Sequence, residues 1–342
     1  MRAFISGVAG LALTDGERAF LHEAQPWGLI LFRRNATSPE QLRRLVGEMR
    51  EILGRQAPVL IDQEGGRVQR LGPPHWPVYP PGAAYGTAYD RDRRQGLAAA
   101  RLGARLIAAD LFALGIDVDC LPIADVPVQG ADQIVGDRAY GSEPGKVAAI
   151  AKAVAQGLGD GGVLPVVKHI PGHGRAAVDS HKKLPVVDAD RALLEATDFA
   201  AFAPLADLPM AMTAHVVFRA IDPVAPATVS ATIVREVIRG SIGFDGLLMS
   251  DDISMQALSG TVGERACAAI AAGCDIVLHC NGEMREMSAV AANVPRLEGQ
   301  AARRAEGALA AKKPPVPLDV AAGRDEFFRL MAGSWQPAEP YA

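Results

Sequence analysis

Three observations in the sequence predict a (β/α)8 barrel. Eight short apolar runs bounded by Gly or Pro are separated by helical patterns, as expected for parallel strands that are buried on both faces. Polar side chains suited to chemistry follow these runs, and few precede them. Barrels of this class place their reactive groups at the carboxyl ends of the strands. The chain has 342 residues, a length that one such barrel reaches as a single domain.

The predicted strands leave room for a helix after each of them. They span residues 4–6, 28–32, 58–62, 117–126, 163–168, 210–215, 246–250 and 275–279. A doubly wound open sheet is the main alternative, but it would normally bring a phosphate-binding loop of the G-x-G-x-x-G or G-x-x-x-x-G-K-[ST] kind. The sequence contains no G-x-x-x-x-G-K-[ST] pattern, and its one G-x-G-x-x-G match, at residues 157–162, precedes a predicted strand instead of following one. The barrel therefore remains the predicted fold.

The helix after the second strand shows the intervening pattern most clearly. Ser38 is placed to cap it, Pro39 suits its first position, and Gln41 would complete a capping box. One apolar stripe follows at helical spacing, formed by Leu42, Leu45, Val46, Met49, Ile52 and Leu53. The sequence thus predicts an amphipathic helix that packs on the barrel.

Two connections are long. Residues 71–90 contain five prolines and form either a plain spacer or a wall of the pocket. Residues 171–181 are rich in Gly and small polar residues, which predicts a mobile loop. After residue 312, one more amphipathic helix is predicted near 320–332, followed by a polar tail. Residues 312–342 are too short for another domain, so one domain is expected over 1–342.

Composition limits the function classes. Hydrophobic residues make up 49% of the chain, and 35 Lys and Arg against 39 Asp and Glu give a formal charge of −4. No basic block suits a nucleic acid backbone, and charged or polar residues interrupt every run that approaches the ~20 residues of a membrane span. The N-terminal apolar run is interpreted as the first strand rather than a signal peptide. We expect a cytoplasmic protein, and a monomer is favoured although the sequence leaves the oligomeric state open.

The four cysteines, Cys120, Cys267, Cys274 and Cys280, form no C-x-x-C pair. They are interpreted as reduced core residues rather than as disulfides or zinc ligands. No cofactor and no metal are expected.

The third strand leads into the motif IDQEGGRVQR, residues 61–70. A carboxylate at a strand mouth can accept two hydrogen bonds from a sugar diol, which makes Asp62 a candidate ligand. Glu64 is expected to be structural, braced by Arg67. Arg70 belongs to the same motif.

The fifth strand ends in Lys168 and His169, a pair of donors for substrate hydroxyls or a carbonyl. His173 lies four residues after His169, which is a helical metal spacing, but Pro171 and Gly172 between them make a helix improbable. A loop-bracing role for His173 is favoured. In the loop after the fourth strand, Arg138 is either a clamp on the substrate or one half of a salt bridge.

Asp179 and His181 place a carboxylate two residues from an imidazole. Such an Asp fixes the tautomer of the ring and raises its basicity, which suits general acid/base catalysis. An ordinary surface pair is the alternative. The seventh strand ends in Asp251 and Asp252. Because side chains alternate along a strand, only one should face the barrel mouth, and we expect Asp251.

A carboxylate in the place of Asp251 usually serves as a metal ligand, a base or a nucleophile on an anomeric carbon. The scarcity of Cys and His at the other strand ends favours the nucleophile.

Five ordered motifs, DQEGGRVQR, GDRAYG, KHIPGHG, DSH followed by LP, and GFDGLLMSDDISM, closely resemble those of glycoside hydrolase family three. More narrowly, they resemble its single-domain bacterial β-N-acetylglucosaminidases of cell-wall recycling. The resemblance covers about residues 3–300. It departs from many relatives at Ile170, where they have Phe.

This resemblance implies a retaining exo-hydrolase with a (β/α)8 barrel and no metal requirement. It implies that Asp251 is the nucleophile and that His181, partnered by Asp179, is the acid/base. The terminal N-acetylglucosamine would be bound by Asp62, Arg70, Arg138, Lys168 and His169. The expected substrates are peptidoglycan-derived muropeptides such as N-acetylglucosaminyl-anhydromuramyl peptides.

Two other classes predict different sequences or behaviour. A metal-dependent amidohydrolase would use the same barrel but would want an H-x-H pair on an early strand, which is absent. A non-catalytic sugar-binding barrel would keep Asp62 and Arg138 without needing Asp251 or the Asp179 and His181 pair.

Overall fold

The computed structural model describes residues 1–336 and confirms the predicted barrel. Its strands are β1 (Arg2–Ser6), β2 (Pro26–Leu31), β3 (Val59–Ile61), β4 (Val118–Asp119), β5 (Leu164–Ile170), β6 (Met210–Thr213), β7 (Leu247–Asp252) and β8 (Ile276–His279). Each strand pairs in parallel with the next along the chain, and β8 pairs with β1 to close the ring. The last six residues of the predicted polar tail lie outside the described residues.

Helices surround the barrel. They are α1 (Asp15–Ala24), α2 (Pro39–Leu53), α3 (Gly82–Arg91), α4 (Arg93–Phe112), α5 (Pro144–Asp160), α6 (Arg191–Ala196), α7 (Val262–Ala272), α8 (Met284–Asn293), α9 (Gly299–Ala310) and α10 (Val320–Met331), with a π-helical segment at Ile233–Ser241. Helix α10 confirms the predicted C-terminal helix. Ala305 and Ala308 of α9 pack against the residues that fill the barrel interior.

Alternation along the strands builds two separate cores. Trp27, Leu60 and Met249 belong to the cluster inside the barrel, whereas their neighbours Val59 and Leu248 belong to the larger cluster that contacts the helices. Successive side chains of a strand point to opposite faces. Apolar runs without polar alternation are therefore what a sheet buried on both faces requires.

Three local predictions need correction. The strand expected at 117–126 is regular only at Val118–Asp119, and Pro122, which has no N–H to donate, lies in the remainder. Ser38 caps α2 by accepting from the Gln41 N–H, but the Gln41 side chain accepts from the Thr37 N–H, so the box is incomplete. Cys267 lies exposed on α7, whereas the other three cysteines are buried.

The proline-rich connection supports a ribbon that carries site residues. Gln63–Gly65 and Val68–Gln69 form a short antiparallel pair after β3. The Gly66 N–H donates to the Tyr79 carbonyl at 2.8 Å, and a Cβ on Gly65 would lie 2.3 Å from the Pro80 carbonyl oxygen. Only glycine allows this close approach, and the φ of +93° at Gly65 favours glycine as well. Residues 71–90 thus shape the pocket indirectly, through the ribbon.

Candidate active site

A cavity of about 230 Å³ opens at the carboxyl ends of the strands. Its lining includes all the predicted site residues except Asp179: Asp62, Arg70, Arg138, Lys168, His169, His181 and Asp251. Asp179 lies one contact further out, where it binds the imidazole of His181. The structure therefore brings together residues that lie up to 189 positions apart along the chain, from Asp62 to Asp251.

Five charged side chains form a buried network at one side of this pocket. Lys168 Nζ lies 2.8 Å from Asp62 Oδ1 and 2.7 Å from Glu64 Oε1. The other Asp62 oxygen accepts from Arg70 at 2.9 Å. Both Glu64 oxygens accept from Arg138, each at 2.8 Å. Three cations thus face two carboxylates, which leaves the network one net positive charge.

The network fixes the ionisation of its carboxylates. Burial raises the pKa of Glu64, but the Arg138 guanidinium and the Lys168 ammonium outweigh it and lower the pKa to about 2. Burial likewise raises the pKa of Asp62, but Lys168 and Arg70 lower it by more, so the net shift is downward. Buried charges of this kind are stable only when paired and hydrogen-bonded. All five groups are therefore ionised and held in place before a substrate enters.

Glu64 forms ion pairs, as a structural role requires, but its predicted partner is wrong. Arg67 reaches Asp137 at 2.9 Å instead, and Arg138 takes the place beside Glu64. The salt bridge considered for Arg138 is thus present. Its guanidinium also lines the pocket, so pairing with Glu64 and contact with a substrate are compatible.

His169 is oriented by an aspartate that the sequence analysis missed. His169 Nδ1 lies 2.7 Å from Asp125 Oδ2, and the other Asp125 oxygen accepts from the His173 N–H at 2.7 Å. Burial raises the pKa of Asp125, but the two histidines lower it to about 2. Because Asp125 occupies Nδ1, the imidazole has Nε2 left for a ligand. An acidic residue inside the apolar run LPIADV was the available signal.

Asp251 and Asp252 both line the pocket, so the prediction that only one would do so is wrong. Their hydrogen bonds nevertheless separate them. Asp252 uses both carboxylate oxygens, on the N–H and hydroxyl of Ser254 and on the Cys280 N–H. Asp251 accepts only from the Asp252 N–H, at 2.8 Å, and no residue within 1–336 bonds to its Oδ2. Asp251 is therefore the carboxylate of the two that keeps a whole oxygen atom for chemistry.

The charge of Asp251 is secured by its neighbours. Burial raises the pKa of its carboxyl group, but His169 and His215 lower it by more, and the net shift is downward. An ionised carboxylate with an unoccupied oxygen at the barrel mouth can act as a nucleophile or base.

The Asp179 and His181 pair forms as predicted. His181 Nδ1 lies 2.9 Å from Asp179 Oδ1, and the same oxygen accepts from the His181 N–H at 2.9 Å. This leaves Nε2 as the working nitrogen of the ring. The side chain of His181 is 62% exposed, so the imidazole lies at the rim of the pocket rather than in its floor.

The loop that carries this pair has two unlike halves. Pro171, Gly172 and Gly174 are buried, and a Cβ on Gly174 would lie 2.2 Å from the Val126 carbonyl oxygen. The first half of the loop is therefore packed, which the prediction of a mobile loop over 171–181 does not account for. Within 177–184, Ser180 is the one buried residue, and its hydroxyl lies 3.0 Å from His173 Nε2. The predicted bracing role of His173 is consistent with this contact.

Within residues 1–336 no three His, Cys, Asp or Glu side chains are grouped so that they could hold a metal ion. No helix in the described part of the chain has the length and apolar character needed to cross a membrane.

Comparison with protein families gives one match over most of the chain. Residues 7–307 match the model of the glycosyl hydrolase family 3 N terminal domain. A beta-hexosaminidase of Chromobacterium violaceum is 42% identical over 303 residues, which cover 87% of this chain and 84% of that protein. A beta-hexosaminidase of Alkalilimnicola ehrlichii is 42% identical over 281 residues, 80% of this chain and 79% of that protein.

Solved structures agree with these sequence relatives. The native NagZ of Neisseria gonorrhoeae superposes with a TM-score of 0.85 at 30% identity, and the match covers 97% of this chain and 98% of that one. The same protein, solved in complex with N-trifluoroacetyl-D-glucosamine, gives a TM-score of 0.86. A beta-N-acetylhexosaminidase of Beutenbergia cavernae gives 0.77 at 27% identity, over 94% of this chain and 96% of that one.

Proposed function

Because the chain belongs to glycosyl hydrolase family 3, we propose that this glycoside hydrolase is a retaining exo-β-N-acetylglucosaminidase in which Asp251 is the nucleophile. The observation that carries the proposal is the contrast between the two adjacent carboxylates. Both Asp252 oxygens accept hydrogen bonds, whereas Asp251 is ionised and keeps one oxygen without a partner among the described residues. A nucleophile needs that oxygen.

The proposed reaction has two steps. In the first, Asp251 Oδ2 attacks the anomeric carbon and forms a glycosyl ester, the glycosidic C–O bond breaks, and His181 transfers the proton on Nε2 to the departing oxygen. In the second, neutral His181 removes a proton from water, which attacks the same carbon and releases Asp251. Two inversions at one carbon give net retention. Asp179 holds Nδ1 through both steps and stabilises the imidazolium.

The ion network supports recognition of a terminal sugar. Lys168 has three N–H donors, and two of them are used by Asp62 and Glu64. Each Asp62 oxygen has a second lone pair, and Arg138 retains N–H groups beyond those bound to Glu64 and the Ile134 carbonyl. With Arg70 and Nε2 of His169, these groups offer donors and acceptors to sugar hydroxyls and an acetamido carbonyl. A site of this kind disfavours analogues that lack a partner group.

The proposed aglycone is a muropeptide, an N-acetylglucosaminyl-anhydromuramyl peptide, processed in the cytoplasm during peptidoglycan recycling. Two observations support it. The relatives include NagZ proteins and beta-hexosaminidases. Lys182 and Lys183 follow His181 directly and are exposed, and their ammonium groups suit the carboxylates of a peptide aglycone.

The experiment is turnover of an aryl β-N-acetylglucosaminide, with the anomer of the released sugar identified by NMR before it mutarotates. The proposal predicts the β-anomer, and first release of the α-anomer would contradict it. The same assay tests the alternatives, since neither a metal-dependent amidohydrolase, which cleaves amides, nor a sugar-binding barrel would release the aryl group. Efficient cleavage within long chitin chains would contradict the exo mode of action.

A further inference from the structure

The backbone of Asp251 and Asp252 is hydrogen-bonded to a group of three buried side chains that have no part in the proposed reaction. Thr213 and His215 come from the end of β6, and Thr228 comes from the turn at Ala227–Val229. All three are 0% exposed. Thr213 Oγ1 accepts the Asp251 N–H at 3.3 Å, and His215 Nε2 lies 3.0 Å from the Asp252 carbonyl oxygen.

The same three side chains are joined to one another. Thr213 Oγ1 lies 2.7 Å from Thr228 Oγ1, which in turn lies 2.7 Å from His215 Nδ1. The contacts therefore form one continuous chain from the Asp251 N–H to the Asp252 carbonyl. We refer to Thr213, Thr228 and His215 as the clamp.

The positions of the protons fix which group donates and which accepts in each hydrogen bond of the clamp. A carbonyl oxygen can only accept, so His215 Nε2 carries the proton and donates it to Asp252. In the neutral ring Nδ1 is then bare, and it must accept the Thr228 hydroxyl proton. The Thr228 oxygen in turn accepts from Thr213, and the Thr213 oxygen accepts from the Asp251 N–H. Every donor in the chain has one acceptor.

Two competing arrangements are disfavoured. Thr228 Oγ1 also lies 3.1 Å from the Ala214 carbonyl, but a proton sent there would leave two lone pairs facing each other 2.7 Å apart at His215 Nδ1. A charged imidazolium could donate at both nitrogens, but burial lowers the pKa of His215 and favours the neutral ring.

The clamp acts on the nucleophile through the backbone. The Asp252 N–H donates to Asp251 Oδ1 at 2.8 Å. The direction of this N–H depends on the backbone torsions of Asp252, and His215 restrains those torsions through its hydrogen bond to the Asp252 carbonyl. We propose that the clamp of Thr213, Thr228 and His215 positions Asp251, so that its second oxygen faces the anomeric carbon. These are positioning residues, since none needs to contact the sugar. The inference rests on the proposed function, because it assumes that Asp251 attacks.

The test compares Thr228→Val with Thr228→Ser in the full chain. Val has the shape of Thr without the hydroxyl, whereas Ser keeps the hydroxyl and loses a methyl group. The rate constant for covalent inactivation by a fluorosugar and the fraction of enzyme labelled at completion are measured separately. A displaced nucleophile loses on the order of 10- to 100-fold in rate. We expect this loss in Thr228→Val with complete final labelling, and recovery of most of the rate in Thr228→Ser.

If the clamp had only a structural role, a smaller fraction of the Thr228→Val molecules would be labelled at completion, and those molecules would react at the normal rate. That result would overturn the inference. Thr213→Val against Thr213→Ser repeats the test at the neighbouring link if Thr228→Val does not fold. Equal inactivation rates for the Val and Ser members of a pair would also overturn it. Failure of the wild-type enzyme to turn over or to be labelled at Asp251 would instead overturn the proposed function, so the two failures are distinguishable.

Discussion

The two halves of the pocket are built differently. The strand-borne half, at the ends of β3, β5 and β7, holds Asp62, Lys168 and Asp251 in buried ion pairs and hydrogen bonds. The loop-borne half, residues 177–183, exposes His181 and is held by one buried side chain, Ser180. The sugar and the nucleophile must meet in one fixed geometry, whereas the proposed acid/base serves first a leaving group and then a water. Rigidity and exposure thus correspond to two different tasks.

The largest expected effect comes from removing the proposed nucleophile. Asp251→Gly should lower kcat by more than about 10⁴-fold, because within residues 1–336 no other carboxylate that lines the pocket keeps an oxygen without a hydrogen bond or ion pair. Thermal unfolding should change little, since Asp251 makes few contacts. Added azide should enter in place of the carboxylate and yield the inverted glycosyl azide, identified by NMR. Turnover close to wild type would remove Asp251 from the mechanism.

Substitution in the loop-borne half should depend on the leaving group. His181→Ala should lower kcat/KM by about 10² to 10⁴-fold on substrates with poor leaving groups, which need a proton. It should spare much of the activity on a dinitrophenyl glycoside, whose leaving group needs none. Asp179→Ala should show the same pattern more weakly. Equal losses on both substrates would show that His181 is not the general acid.

Breaking the ion network should affect stability as well as binding. Glu64→Gln leaves Arg138 and Lys168 short of a counter-charge, and disrupting a buried pair typically costs about 3 to 5 kcal/mol. Urea unfolding should show a loss of this size at pH 7. Glu195→Gln is the matched control, because its pair with Arg191 is exposed and exposed pairs contribute about 0 to 1 kcal/mol. Equal losses in the two variants would contradict the account.

The same variant predicts a pH dependence. The folded pKa of Glu64 is about 2 against an ordinary value of 4.5. A depressed pKa stabilises the fold above pH 4.5, and that contribution is lost as the pH falls through about 2. The difference in unfolding free energy between wild type and Glu64→Gln should therefore be constant above pH 6 and narrow below pH 4.5. A difference that stays constant to pH 3 would show that Glu64 is not the stabilising carboxylate.

The smallest expected effect concerns the tether of the loop. Ser180→Ala removes the hydroxyl that contacts His173, and the net value of one hydrogen bond corresponds to a change of about 2- to 10-fold. We expect that loss in kcat/KM on poor leaving groups and almost none on the dinitrophenyl glycoside. An equal loss on both would mean that Ser180 acts on the sugar site rather than on the loop.

The sequence predicted the strand-borne half better than the loop-borne half. The barrel and the clustering of Asp62, Lys168, His169 and Asp251 follow from apolar periodicity, because strand ends in a parallel barrel must converge. The ion-pair partners of the charged residues could not be predicted as well from the sequence. Glu64 pairs with Arg138, 74 positions away, rather than with nearby Arg67, since sequence proximity does not show which charges a closed barrel brings together.

The sequence also did not predict the buried side chains that hold the site residues in place. Ser180 and Thr228 show no pattern of their own in the sequence, Asp125 shows only an acidic residue in an apolar run, and each acquires its role through a contact from another segment. His173 is a partial exception, since its predicted bracing role agrees with its hydrogen bond to Ser180. The packing of Gly174 against the Val126 carbonyl also depends on distant backbone, and the predicted mobility of the whole 171–181 loop could not account for it.

The central claim is that Asp251, rather than its neighbour Asp252, attacks the sugar. The direct measurement is to trap the intermediate with a fluorosugar inactivator, digest the protein and locate the modified residue by mass spectrometry. The account predicts one sugar per chain, attached to Asp251, with protection by free N-acetylglucosamine. A label on Asp252, or on any other residue, would contradict it.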